Sequence, residues 1–119
     1  LNNAENITWR EDAKDLDGTL LSLKRFLYLN YGRTGHKVNV WANSPSFDIE
    51  ILENAAKTCG VTIPEFNFRN RRDLRTITAM CPEVVKNFDW GSGTYHNALD
   101  DCRNQIRLLK KCLKELRWI

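Results

Sequence analysis

Residues 37 to 60, K-V-N-V-W-A-N-S-P-S-F-D-I-E-I-L-E-N-A-A-K-T-C-G, change hydrophobic pattern once, and that change constrains the fold more than any other feature. Val38 and Val40 alternate with Asn39 and lead to Trp41, which predicts a short strand over 37–42 ending near Asn43. Ser44 can then cap a helix whose first residue is Pro45, with Ser46 as an alternative cap. Phe47, Ile51, Leu52, Ala55, Ala56 and Cys59 give that helix an apolar face, and Gly60 follows its last turn. A strand leading straight into a punctuated helix favours an α/β domain over an all-helical bundle.

The flanking segments fill in the order of elements. Leu16, Leu20, Leu23 and Leu27 recur at helical spacing beside Phe26, and Tyr31-Gly32-Arg33-Thr34-Gly35 breaks the pattern. Pro64, Phe66 and Phe68 precede the basic run R-N-R-R-D-L-R at 69–75, whose pattern selects no single secondary structure. A short helix interrupted near Cys81-Pro82 is expected over 76–88, and D-W-G-S-G-T-Y at 89–95 reads as a loop. From Leu99, apolar residues return at Cys102, Ile106, Leu109, Leu113 and Leu116 in alternating steps of three and four, which predicts one long packed helix. Asn97 is its N-cap and Asp100 its third residue; Asp101 follows in the first turn, and His96 stays on the loop. Helix, strand, helix, irregular connection and final helix supply too few strands for a conventional sheet. The chain begins with Leu rather than Met, and the two features together lead us to expect residues 1–119 to be a single partial domain.

Composition excludes several classes. At 119 residues the chain suits one modest core, with roughly two thirds of its unfolded surface buried on folding. A hydrophobic share of 42% with four tryptophans argues against wholesale disorder. The net charge of +3 permits an anionic partner without establishing one. No apolar run approaches the roughly 18 residues of a membrane span, and no signal peptide is visible. Cys59, Cys81, Cys102 and Cys112 show neither CxxC nor a Cys/His comb, so they fit reduced thiols in a cytoplasmic protein better than zinc ligands or two disulfides.

Three polar residues gain weight together. Alone, Asp48 reads as a solvated or helix-capping aspartate, Asp101 as a favourable charge at a helix N-terminus, and His96 as a loop residue. One stands just past a strand end, one in a loop and one in the following helix, so folding can bring them to a single cleft. N-S-P-S-F-D-I-E-I-L (43–52) resembles the second motif of the DEDDh exonuclease family, and H-N-A-L-D-D (96–101) resembles its third, H-x-A-x-x-D. Arg72-Asp73-Leu74-Arg75-Thr76 resembles the R-D-x-R-T segment of the compact phage and bacterial 3′-5′ exonucleases and exoribonucleases. The likeness spans roughly residues 37 to 112.

The resemblance implies the C-terminal portion of a ribonuclease-H-like α/β fold. It implies Asp48 and Asp101 as metal-binding carboxylates and His96 as general base, with two Mg²⁺ or Mn²⁺ ions in the complete site. Asp100 occupies a variable position of the motif and is left a capping role. The implied activity is hydrolysis of terminal phosphodiester bonds of single-stranded DNA or RNA, releasing nucleoside 5′-monophosphates. The family's first motif, a D-x-E strand, has no equivalent here; Glu11, Asp12, Asp15 and Asp17 lie in a polar approach to a helix. A missing N-terminal segment or complementary fragment would then complete the site, and the alternative is a noncatalytic nucleic-acid-binding or protein-binding fragment.

Substrate contacts are less constrained by sequence. Arg72 and Arg75, with Arg69 and Arg71 nearby, can attract a nucleic-acid backbone, although a solvated basic face is the commoner outcome of such a run. Trp41, Trp90 and Tyr95 can stack on bases or pack in the fold. The stripe from Leu99 to Leu116 can serve the core or a homodimer interface.

Overall fold

The computed structural model describes residues 15–35, 37–91 and 97–119. In chain order these form α1 (Leu16–Asn30), β1 (Val40–Ala42), α2 (Asp48–Thr58), β2 (Arg71–Asp73), α3 (Leu74–Ala79), α4 (Pro82–Lys86) and α5 (Ala98–Glu115). Single 3-10 turns occupy Gly32–Thr34, Pro64–Phe66 and Phe68–Asn70. β1 and β2 pair as a small parallel sheet, so the fold is α/β. The chain divides into two compact units, Leu1–Val40 with Ile49–Asn70, and Trp41–Asp48 with Arg71–Ile119.

In the first unit Asp15 starts α1, its carboxylate accepting from the Gly18 amide at 2.7 Å. Leu20 and Leu27 of the predicted stripe are buried, Leu23 is half-buried and Leu16 is exposed. α2 begins at Asp48, not at Pro45. The Ser44 carbonyl accepts the amides of both Phe47 (3.1 Å) and Asp48 (3.3 Å), closing 45–47 as a turn, while the Ser44 hydroxyl engages Ser46 Oγ at 2.8 Å. Ile49 and Ala56 take the buried face of α2, whereas Phe47, Ile51 and Leu52 of the predicted face are exposed. The helix ends as expected at Gly60, in the left-handed conformation with φ 69°. Gly60 donates to the Lys57 carbonyl at 3.1 Å and Val61 to that of Ala56 at 2.8 Å, a Schellman ending that sends Val61, Ile63 and Phe66 into the unit's core. At the same end, a hydrogen bond to Asp17, then burial and the charges of Asp17 and Asp15, push the Cys59 thiol pKa up.

In the second unit Cys81, Phe88, Leu108 and Cys112 form the core, with Ile77, Val84, Val85 and Leu116 against it. The predicted interruption falls between α3 and α4, where Pro82 opens the new helix at a position that needs no amide hydrogen. α5 starts as predicted: Asn97 Oδ1 accepts from the Asp100 amide at 3.1 Å. Its packed face differs from the predicted stripe. Leu108, Cys112 and Leu116 point toward α3 and α4, whereas Leu99 is 58% and Ile106 52% exposed and Cys102 is open to solvent. Adjacent positions on a helix lie about 100° apart. Leu108 and Leu109 therefore belong to different faces, and a run apolar on both leaves the buried one open. The outer row borders an apolar cavity of about 250 Å³ with Trp41 and Leu74. All four cysteines are free thiols, and no helix among the described residues is long and apolar enough to cross a membrane.

Candidate active site

Two strand ends and two helix starts meet at a cavity of about 270 Å³ in the second unit. Asn43 enters it directly after β1, Arg75 from the first turn of α3, Asp101 from the first turn of α5, and Trp90 from the segment before α5; Thr78 and Gln105 complete its polar lining. Leu74, Val85 and Leu108 supply its apolar wall. Ligands of open α/β sheets bind beyond the carboxyl ends of the strands, which is where Asn43 and Arg75 stand.

Local chemistry fixes each of these positions. Asp73 caps α3, accepting from the Arg75 amide at 2.9 Å and the Thr76 hydroxyl at 3.0 Å, so the residues after β2 turn at once into helix. Arg75 Nε donates to Asn43 Oδ1 at 3.4 Å. Asn97 starts α5, and its carbonyl accepts the Asp101 amide at 2.9 Å, which sets the half-buried Asp101 one turn in. Gln105, four residues further on, occupies the same side.

Phe88 packs against Trp90, which itself lines the cavity. Their ring centroids are 4.7 Å apart at 82°, an edge-to-face pair. The Arg107 guanidinium lies 5.0 Å and the Lys111 ammonium 5.5 Å from the Phe88 centroid. Arg107 also donates to the Asp89 carbonyl at 3.0 Å, and the Asp89 carboxylate accepts from the Gly91 amide at 2.8 Å.

The residues expected from sequence are thus partly brought together. Asp101 and Arg75 line the cavity. Asp48 is exposed at the first position of α2 and does not border it. Arg72 is half-buried in β2, with its guanidinium donating to the Arg71 carbonyl at 2.9 Å. Trp41 borders the separate apolar cavity. His96 and Tyr95 lie outside the described residues. Asn43 and Gln105 were missed; the strand-end position of the first and the four-residue step of the second from Asp101 were the available signals.

Among the described residues no three His, Cys, Asp or Glu side chains stand close enough to hold a metal ion. Asp101 and Asp48 offer the hard oxygen donors that suit Mg²⁺ or Mn²⁺, and Mg²⁺ characteristically takes only one or two carboxylates along with waters and substrate phosphates. Of these two only Asp101 borders the cavity, so the described residues there supply a single carboxylate.

A family model described as the 3′-5′ exoribonuclease Rv2179c-like domain matches residues 2–113. No curated protein and no solved structure matches the chain.

Proposed function

We infer the function from the family to which the chain belongs, the Rv2179c-like 3′-5′ exoribonuclease domain family, and propose that it contributes the C-terminal half of a DEDDh-type site on a ribonuclease-H-like fold. The reaction is removal of nucleoside 5′-monophosphates from the 3′ end of single-stranded RNA. The observation that carries this reading is the placement of Asp101 and Arg75 in one cavity at the strand ends, a carboxylate and a guanidinium facing the same space.

The residues divide the work by chemistry. Asp101, together with Asp48, would hold Mg²⁺ or Mn²⁺, and the bound ion would supply Lewis-acid polarisation of the phosphoryl oxygens. His96, neutral, accepts a proton from the attacking water at an imidazole nitrogen. Arg75 orients a phosphate through its planar fork, with Asn43 fixing the guanidinium at Nε. In this reading a D-x-E segment would supply the further carboxylates of a two-ion site.

The test uses 3′-labelled and 5′-labelled single-stranded RNA and matched DNA with Mg²⁺ or Mn²⁺, and the chain with and without an upstream segment carrying D-x-E. Stepwise loss from the 3′ end that depends on the segment supports the proposal. Metal-independent binding without degradation in both forms refutes it in favour of a noncatalytic binding fragment.

A further inference from the structure

We propose that Trp90 is the base-stacking platform of the cavity and receives the 3′-terminal base of a single-stranded RNA. The proposal rests on the exonuclease reading for the polarity of the strand, while the stacking itself follows from the cavity. Among the described residues lining the space that holds Asp101 and Arg75, Trp90 is the one aromatic. Trp41, another described tryptophan, borders a separate cavity whose lining, among the described residues, carries no charged side chain.

Trp90 combines a fixed position with an open surface. Phe88, buried beneath it, meets it edge to face, and Phe88 is itself held by the Arg107 and Lys111 cations of α5. Arg107 pins the Asp89 carbonyl next in the chain, and the Asp89 carboxylate ties down Gly91 on the far side. The indole remains 52% exposed despite these restraints. A large apolar ring fixed yet half open suits capture of a flat partner, because little conformational freedom is lost on binding.

The electrostatics favour a base over a phosphate at this position. Asp101 repels a phosphate placed beside it, and Arg75, which lines the same cavity, carries the opposite charge. An uncharged aromatic face avoids the conflict. Stacking is also tolerant of sequence, since every base presents a π-face, and an enzyme that shortens RNA stepwise must accept each base in turn.

The test is equilibrium binding of a short 5′-fluorescent RNA, without divalent ions, to the wild-type chain, W90F and W90A. Each protein is assayed with RNA carrying an ordinary 3′ nucleotide, an abasic 3′ end or an abasic 5′ end. The wild type is expected to bind the ordinary RNA roughly tenfold more tightly than the 3′-abasic RNA and to ignore the 5′ lesion. W90A is expected to lose that tenfold preference, and W90F to retain it within about threefold. Equal wild-type affinity for ordinary and 3′-abasic RNA overturns the proposal without relying on any variant. A W90A that loses affinity for both RNAs by the same factor, and so keeps the tenfold preference, overturns it too, since a general loss is not stacking. Trp90-dependent 3′-end discrimination without degradation by the completed protein refutes the nuclease reading and leaves the platform standing.

Discussion

Arg75 Nε reaches Asn43 Oδ1 at 3.4 Å, joining two residues that are 32 apart in sequence. The bond is long and its role is geometric. It links the end of β1 to the start of α3 while the Asp73 cap fixes the Arg75 backbone from the other side.

Arg75→Ala is therefore expected to weaken single-stranded RNA binding by roughly tenfold to a hundredfold, the equivalent of one charge-assisted contact of about 1.5–3 kcal/mol. Arg75→Lys keeps the charge without the planar fork and should restore only part of the affinity. Arg75 is exposed, so the unfolding free energy should move by no more than about 0.5 kcal/mol. Binding titrations at several salt concentrations check the assignment, because the Ala variant should also show a shallower salt dependence. Unchanged affinity would remove Arg75 from the interface.

The two sides of α5 make a second contrast. Leu108 is 4% exposed within the core, whereas Ile106 is open to solvent. Leu108→Ala is expected to cost about 2–5 kcal/mol of unfolding free energy and Ile106→Ala about 0.5 kcal/mol or less, measured by urea denaturation. A large loss for Ile106→Ala would mean that the outer row is covered in solution, by an upstream segment or a second copy.

Legibility in the sequence followed the range of the interactions. Asn97, the break at Pro82 and the ending at Gly60 were readable because each depends on neighbours within one turn. Pro45 misled for the same local reason: a Ser-Pro start looks like a cap, but the Ser44 hydroxyl binds Ser46 and the turn must close before α2 begins. Which apolar row of α5 is buried could not be read, because Leu108 and Leu109 are equally apolar and only α3 and α4 distinguish them. The site divided likewise. H-N-A-L-D-D marked Asp101 and R-D-L-R-T marked Arg75, both of which enter the cavity. Asn43, Gln105 and Trp90 join them only through folding.

The cysteines provide a third test. Burial, followed by the hydrogen bond and charge of Cys81, pushes the Cys112 thiol pKa from 9.0 up to about 11. A raised folded pKa favours the protonated native state, so this contribution to stability is complete below about pH 9 and is lost as pH rises toward 11. Denaturation midpoints should fall more steeply over that window in the wild type than in Cys112→Ala. A thiol reagent at neutral pH should modify the exposed Cys102 first and reach the buried Cys81 and Cys112 only on unfolding. Rapid modification of all four thiols would contradict the packing of α5.

Asn97 and Asp101 separate scaffold from chemistry within one helical turn. Asn97→Ala removes the cap of α5 and is expected to cost about 1 kcal/mol of stability, with Asn97→Ser retaining most of it. Asp101→Asn keeps the helix start and the side-chain volume, so its stability should change by less than about 1 kcal/mol, the scale of a lost charge at a helix N-terminus. Under the proposed mechanism its effect on turnover is on the order of a hundredfold or more. Thermal denaturation and RNA degradation measured across a Mn²⁺ titration distinguish the two residues. Asn97→Ala should lower the melting temperature while keeping its metal dependence, whereas Asp101→Asn should keep the melting temperature and require more metal. Wild-type turnover in Asp101→Asn at every Mn²⁺ concentration would exclude that carboxylate from the reaction.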